Sequence, residues 1–384
     1  MLSLIGSTGS IGRQTLNVLD HLGMKPTALA AGNNVKELEH QCRRYMPKVA
    51  VLSDEQASCD LRARLADTPV KVYGGSEAVC EAAAHPEANT TLVAAAGIAG
   101  LRPTLAAIGS VPRLALANKE SMVSAGELIM KRMRMSRTLL LPVDSELSAV
   151  FLCLEGVPRE LVRRIIITAS GGPFYGWTLE RMRGVSIEDA LRHPNWKMGK
   201  KISIDSATLL NKGYEVIEAK HYFGMPLEQI SVSIHRESII HAIVEYIHKG
   251  PYIYMTTPDM RLPIQYALTY PEIRSSLVKP LDLDSLPSFT EESPDERAFP
   301  CFALSLEAAR QGGLAGTVLA AAGETAVERF LSGGIGFTDI AKCVEAALNR
   351  VPQGDPLSID DVLETDAETR AFVRSLKVSI GIAS

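Results

Sequence analysis

The sequence predicts an α/β protein. It opens on an N-terminal Rossmann-like, doubly wound parallel sheet, continues through an α+β catalytic domain and ends in a small C-terminal helical bundle. Three observations lead there. From residue 2 to about residue 143, short apolar runs alternate with segments of helical period, the pattern of parallel strands joined by crossover helices. The first run ends in a glycine-rich turn that opens a helix. Beyond residue 300, helical spacing dominates between Gly and Pro breaks.

Leu2–Ile5 is the first strand, closed by Gly6, Ser7, Thr8, Gly9, Ser10, Ile11 and Gly12; a helical pattern follows to about Leu22 and stops at Gly23. One glycine permits a tight turn, one lets backbone approach a pyrophosphate, and one allows close helix packing. The spacing is G-x-x-G-x-x-G rather than G-x-G-x-x-G, and its place at the first strand–helix junction marks it as a dinucleotide seat. Further strands are expected at Thr27–Ala31, Val49–Leu52, Val70–Val72, Thr91–Ala95, Arg113–Leu116 and Thr138–Leu141. The second ends in Gly32, Asn33 and Asn34, with Lys36 close by. An acid expected there for the ribose diol of NAD is missing, whereas amides and a lysine accept a 2′-phosphate, so NADPH is favoured over NADH. Ala96 and the run Asn118, Lys119, Glu120 follow later strands and should lie at the carboxyl edge beside the cofactor.

Thr138–Val143 runs into Asp144, Ser145 and Glu146. In an extended segment residues i and i+2 share a face, so both carboxylates point one way. Two like charges held together need a cation or a proton. Oxygen ligands without nearby His or Cys suggest Mg²⁺ or Mn²⁺, one per active site, with Glu215 as third ligand.

Arg164–Thr168 is another strand, closed by Ala169, Ser170, Gly171 and Gly172, a small turn that offers a hydroxyl and N–H groups to an anion. Trp177–Leu191 is mostly helical. The chemically richest stretch then runs from His193 to Glu218. It opens with His193, Trp196, Met198 and Gly199 in a lysine-rich loop. Lys201–Asp205 alternates and is expected as a strand. Ser206 and Thr208 mark a helix start, and Asn211, Lys212 and Glu215 follow at spacings that make them helical neighbours. Hydroxyl, amide and ammonium converge at a helix start whose dipole favours an anion, with a carboxylate behind: a phosphate seat.

Ile230–Val232, Ala242–Ile247 and Ile253–Met255 are strand-like; His241, beside them, is expected to be structural. Pro271 to Pro300 is expected as an extended linker. Helices are expected at Phe302–Gln311, Gly316–Leu331, Thr338–Asn349 and Ile359–Lys377, the last two separated by a break at Pro352–Pro356. The expected domains are 1–143 for the cofactor, 144–271 for catalysis, metal binding and dimerisation with a flap at about 192–200, a linker at 272–300, and the helical bundle at 301–384.

The 384 residues carry a net charge of −4 and no long basic block, so nucleic acid is not an expected partner. No run of about 18 apolar residues is present, so no membrane span is expected. The six cysteines are scattered, as in a reduced cytoplasmic protein rather than a disulfide frame or zinc site. The N-terminus enters a strand directly, leaving no room for a signal peptide.

In order and spacing, Gly6–Gly12, Ala117–Ser121, Leu141–Glu146, Ala169–Phe174 and His193–Glu218 resemble 1-deoxy-D-xylulose 5-phosphate reductoisomerase over essentially the whole chain. The last three motifs are highly specific; the first is not. The resemblance implies NADPH- and divalent-metal-dependent conversion of 1-deoxy-D-xylulose 5-phosphate to 2-C-methyl-D-erythritol 4-phosphate in the non-mevalonate isoprenoid pathway. It further implies a homodimer inhibited by fosmidomycin. By motif, Asp144, Glu146 and Glu215 correspond to metal ligands; Ser170, Ser206, Asn211 and Lys212 to the phosphate pocket; Ser145 and Lys119 to substrate contacts, Lys119 also near the nicotinamide. His193, Trp196 and Met198 correspond to the flap, with Gly199 beside the cofactor. Lys119, Asp144, Glu146, His193 and Glu215 are the expected catalytic set. Alternatives are another NADPH-dependent sugar-phosphate dehydrogenase and a non-catalytic NADPH-binding paralogue. Two stretches depart from the family pattern: His235-Arg236-Glu237-Ser238 stands where His-Pro-Gln-Ser is usual, and Ala320-Ala321-Ala322-Gly323-Glu324 where Asn-Ala-Ala-Asn-Glu is usual.

Overall fold

A computed structural model of the chain describes residues 1–196, 198–351 and 358–377. The expected break at Pro352–Pro356 and Lys197 of the expected flap lie outside the described residues. The chain divides into two compact units. The first comprises Met1–Ser121, Ile129–Ser148 and Asp259–Lys279, and the second Met122–Leu128, Ala149–Pro258 and Pro280–Ser384.

The first unit is built on a seven-stranded parallel sheet of β1 (Leu2–Ile5), β2 (Pro26–Ala31), β3 (Val49–Leu52), β4 (Lys71–Gly74), β5 (Thr90–Val93), β6 (Arg113–Leu116) and β7 (Leu139–Pro142). The spatial order is β4-β3-β2-β1-β5-β6-β7. The winding therefore reverses between β1 and β5, and the crevice at their carboxyl ends is where a doubly wound sheet takes its ligand. β1 and β2 are buried on both faces, which is why they read as unbroken apolar runs without alternation. Asp259–Lys279 returns to this unit. Its helix Arg261–Thr269 packs on the helix Ser10–Leu22, Ser275 O accepts from His21 Nε2 at 2.8 Å, and Arg113 donates to Tyr270 O at 2.5 Å.

The second unit carries a mixed sheet of β8 (Val162–Ala169), β9 (Ile230–Ile234), β10 (Ile240–Tyr246) and β11 (Tyr252–Met255), in the order β11-β10-β8-β9. Only β8 and β9 run parallel, with Ala169 opposite Ile234, so the turns after them leave the sheet side by side. Helices Pro300–Gln311, Ala315–Leu331, Asp339–Leu348 and Ile359–Ser375 pack on one another, the expected bundle. Leu210–Phe223 lies against Pro300–Gln311 through Gly213, where a Cβ would stand 2.2 Å from Ser305. The departure at Gly323 has a similar packing reason: a Cβ there would meet Tyr214 Oη at 2.7 Å and Leu210 at 2.6 Å. Residues 280–299 hold a short 3-10 turn, Leu283–Ser285, and a bridge from Glu292 to Ile234.

Three local expectations are corrected. Lys201–Asp205 is helical, within Lys200–Ala207. Two isoleucines two residues apart mimic strand alternation, but the Lys201–Asp205 ion pair at 2.9 Å is an i,i+4 helical contact. Second, Ser206 lies in the last turn of that helix and does not start the next one. Leu209, at φ +57, breaks the chain before Leu210–Phe223. Third, Trp177–Leu191 forms two short helices, Leu179–Met182 and Ile187–Leu191, capped by Thr178 and Ser186.

Candidate functional site

In the first unit the glycine turn sits at the winding reversal. Gly6 adopts φ +88, and a Cβ there would lie 2.5 Å from Ala94 O at the end of β5. A Cβ at Gly12 would lie 2.3 Å from Gly6 O, so this glycine lets the helix close on the turn. Gly9 offers no side chain to cap Ser10–Leu22, and the first N–H groups of that helix face outward at its positive end. The buried Ser7 hydroxyl has no hydrogen-bond partner among the described residues, an orphan that a bound phosphate group would satisfy. Gly32, Asn33, Asn34 and Lys36 are exposed just beyond β2, and Asn34 caps the next helix by accepting from Glu37 N at 3.2 Å. Ala96 is exposed after β5, and Ser10 and Ile11 begin the first helix.

Asn118 is buried and ties two of these loops together. Its Nδ2 donates to Ala95 O at 2.7 Å, Gly97 O at 2.9 Å and Glu120 Oε2 at 3.1 Å, and its Oδ1 accepts from Ser121 N at 2.9 Å. Lys119 follows at the helix start and forms an ion pair with Asp144. Both side chains are mostly buried, at 15% and 13% exposure, so the attraction is weakly screened. Asp144 and Glu146 offer oxygens within 4.8 Å of one another. The route to that proximity differs from the extended segment expected. A helix, Ser145–Cys153, begins at once, and Asp144 caps it by accepting from Glu146 N at 3.0 Å and Leu147 N at 3.1 Å through Oδ1. Ser145 Oγ donates to Glu146 Oε2 at 2.7 Å.

In the second unit, Ser170 leads the turn after β8. Gly171 and Gly172 stand at φ +75 and +65, and a Cβ at Gly172 would lie 2.9 Å from Ser206 O. The turn thus packs against the end of Lys200–Ala207, which brings Ser170 and Ser206 to one place. Ser170 Oγ lies 2.9 Å from His193 Nε2 and accepts from Gly172 N at 3.2 Å. His193 Nδ1 accepts from Asn195 N at 3.2 Å and Trp196 N at 3.0 Å, which assigns the ring proton to Nε2. Burial, and secondarily Arg236, push the imidazole down to about 4, so it is neutral at pH 7. Trp196 and Met198 are half-buried in the loop that follows, and exposed Gly199 begins the next helix.

On Leu210–Phe223, Asn211 Nδ2 donates to Glu215 Oε1 at 2.6 Å and Lys212 forms an ion pair with Glu215. Glu215 is 1% and Lys212 5% exposed. A buried pair of this kind is costly to break, since either partner alone leaves an uncompensated charge. The helix has no side-chain cap at its N-terminus, so its dipole adds to Lys212 for an incoming anion. His241 is buried and bonded to Thr256 O at 3.3 Å, the structural role expected. Sequence reasoning missed the contacts of Arg236 with the Ser170 turn. Its only signal was a charge where a proline is usual, and its partners Ser170 and Gly172 lie more than sixty residues away.

Comparison with known proteins covers nearly the whole chain. The family model for 1-deoxy-D-xylulose 5-phosphate reductoisomerase matches residues 2–126, that for its C-terminal domain residues 140–223, and the DXP reductoisomerase C-terminal domain model residues 255–372. Curated 1-deoxy-D-xylulose 5-phosphate reductoisomerases from Geobacillus sp. and Caldanaerobacter subterraneus are 45% and 46% identical over 380 and 372 residues. These alignments cover 98% and 96% of this chain and 99% and 97% of the relatives. Among solved structures, the Zymomonas mobilis reductoisomerase in complex with NADPH is 42% identical with a TM-score of 0.90, over 98% of this chain and 99% of that one. A DOX-P reductoisomerase in complex with NADPH, fosmidomycin and magnesium is 36% identical with a TM-score of 0.93, over 97% of both chains.

Proposed function

The chain belongs to the 1-deoxy-D-xylulose 5-phosphate reductoisomerase family, and from that premise we propose how its residues divide the work. The enzyme converts 1-deoxy-D-xylulose 5-phosphate to 2-C-methyl-D-erythritol 4-phosphate with NADPH and a divalent metal ion. The C3–C4 bond breaks, the fragments rejoin as a branched aldehyde, and the aldehyde is reduced.

One observation carries the assignment of the acids: Asp144 and Glu146 offer carboxylate oxygens within 4.8 Å of one another in their own unit, and like charges held this close suit a cation. Asp144, Glu146 and Glu215 would hold Mg²⁺ or Mn²⁺, an oxygen-only set that fits a hard ion. When bound, the metal would polarise two adjacent oxygens of the ketose and NADPH would supply the hydride. Lys119 and Ser145 contact the reacting end of the substrate. Ser170, Ser206, Asn211 and Lys212 grip its phosphate and contribute binding energy remote from the reacting carbons. Neutral His193 donates to Ser170 Oγ and leaves the serine hydrogen for a phosphate oxygen. Trp196 and Met198 cover the substrate and exclude water.

Gly6, Ser7, Thr8, Gly9, Ser10, Ile11 and Gly12 cradle the pyrophosphate, and Gly32, Asn33, Asn34 and Lys36 take the 2′-phosphate end. Ala96, Glu120 and Gly199 line the rest of the cofactor, with Asn118 holding their loops. Functionally, residues 1–143 serve the cofactor, 144–271 catalysis, 272–300 connection and 301–384 support. No helix of the described residues is long and apolar enough to cross a membrane, and a cytoplasmic homodimer inhibited by fosmidomycin completes the reading. The test is metal binding by D144N, E146Q and E215Q, followed by Mn²⁺ paramagnetic resonance. Each should weaken binding; wild-type affinity in any one removes that residue from the set.

A further inference from the structure

The charge at Arg236 has a definite place. Because β8 and β9 run parallel with Ala169 opposite Ile234, the turns Ser170–Gly172 and His235–Ser238 emerge together. Their backbones remain joined one step further, His235 N donating to Ala169 O at 2.7 Å. Arg236 reaches across this seam. Its Nη1 donates to Ser170 O at 2.7 Å and to Gly172 O at 2.8 Å, and its guanidinium lies over the Tyr175 ring at 4.7 Å from the centroid. Two carbonyls of the Ser170 turn and the Tyr175 ring beyond it are thus held by one side chain. A second tie runs from the His235–Ser238 turn to the His193 loop: Asn195 Nδ2 donates to Arg236 O and to Ser238 Oγ, the latter at 2.8 Å. Asn195 belongs to the loop that carries His193 and Trp196, so the Arg236 residue bridges that loop and the Ser170 turn.

We propose that Arg236 is a positioning residue for the phosphate end of the substrate: its guanidinium fixes the Ser170–Gly172 turn, and its backbone anchors the His193 loop, so that the Ser170 hydroxyl is aimed at the anion. The proline usual at this place has neither a side-chain donor nor the charge. The inference rests on the reading of Ser170 as a phosphate contact. The His193 ring meets Ser170 Oγ and the N–H groups of Asn195 and Trp196, and Arg236 is the charged group acting on it among the described residues. Its field opposes protonation of a ring whose Nδ1 must accept two hydrogen bonds.

The test compares R236A, R236K and S170A with the wild type in steady-state kinetics at saturating NADPH and Mg²⁺. R236A should raise KM for the phosphorylated ketose about tenfold, the scale of one lost charge-assisted hydrogen bond, with a smaller change in kcat and none in KM for NADPH. The acidic fall of kcat/KM should begin at higher pH in R236A. R236K should restore that limb, which needs only charge, but not KM, which needs the longer reach of the arginine and its planar guanidinium over Tyr175. Unchanged KM and pH limb in an R236A that melts like the wild type would overturn the proposal. If R236A does not fold, R236K decides, and wild-type KM there overturns it. S170A separates the premises: unchanged KM in S170A removes the phosphate contact itself, whereas raised KM in S170A with wild-type KM in R236A removes only Arg236.

Discussion

His193 Nε2 donates to Ser170 Oγ at 2.9 Å, while His193 Nδ1 accepts from two backbone N–H groups of its own loop. One neutral ring therefore joins the loop to the Ser170 turn. H193A should raise KM for the ketose phosphate by roughly tenfold, since each such hydrogen bond is worth about 0.5–1.5 kcal/mol. Kinetics at varied substrate check this, and an unchanged KM would detach the loop from substrate binding.

Glu215 is buried and receives both Asn211 and Lys212. E215Q keeps the shape and one acceptor but removes the charge. Turnover at saturating metal should fall by on the order of 10²–10³, the scale of losing one electrostatic stabiliser in a dry site. Circular dichroism should show the fold retained. Near-normal turnover would take Glu215 out of the ligand set.

Lys212 pairs with Glu215 and is proposed to hold the substrate phosphate as well. K212A should raise KM for the phosphorylated substrate by roughly a hundredfold, as expected for a lost charge-assisted contact of about 3 kcal/mol. It should also destabilise the protein by about 3–5 kcal/mol, because Glu215 is left buried without its counter-charge. Denaturant titration and kinetics read the two effects separately.

The glycine turn leaves no room at its third glycine, where a Cβ would lie 2.3 Å from Gly6 O and 2.5 Å from Ser7 O. G12A should push the helix off the turn, raise KM for NADPH at least tenfold and cost about 1–3 kcal/mol of stability. KM for the ketose phosphate should change little.

His221 is half-buried, with its ring against Gly126, where a Cβ would meet Cδ2 at 2.3 Å. Burial, then Lys220, push it down to about 4. The unfolded chain takes up this proton first as pH falls, so the stability held above about 6.5 is lost progressively toward pH 4. Urea titrations at pH 7 and pH 5 should show a smaller loss in H221N than in the wild type.

Much of this was legible in the sequence where local pattern and tertiary demand agree. The buried strands β1 and β2 read as apolar runs, and Gly6 to Gly12 announced a turn that the winding reversal then uses. The acids at 144 and 146 and the cluster from Asn211 to Glu215 were visible as chemistry. Their local geometry was harder: Asp144 turned out to be a helix cap, and Lys201–Asp205 a helical turn whose isoleucines happened to alternate. What stayed hidden depends on distant partners. Nothing near Ser275 points to His21, 254 residues away, and nothing near Arg236 names the carbonyls of Ser170 and Gly172.

The most direct measurement is NADPH absorbance on adding 1-deoxy-D-xylulose 5-phosphate, with Mg²⁺ or Mn²⁺ present and with a chelator as control. The account predicts loss of absorbance that requires the metal, with 2-C-methyl-D-erythritol 4-phosphate as product. NADPH binding without oxidation, or oxidation that leaves the carbon skeleton unbranched or persists in chelator, would contradict it.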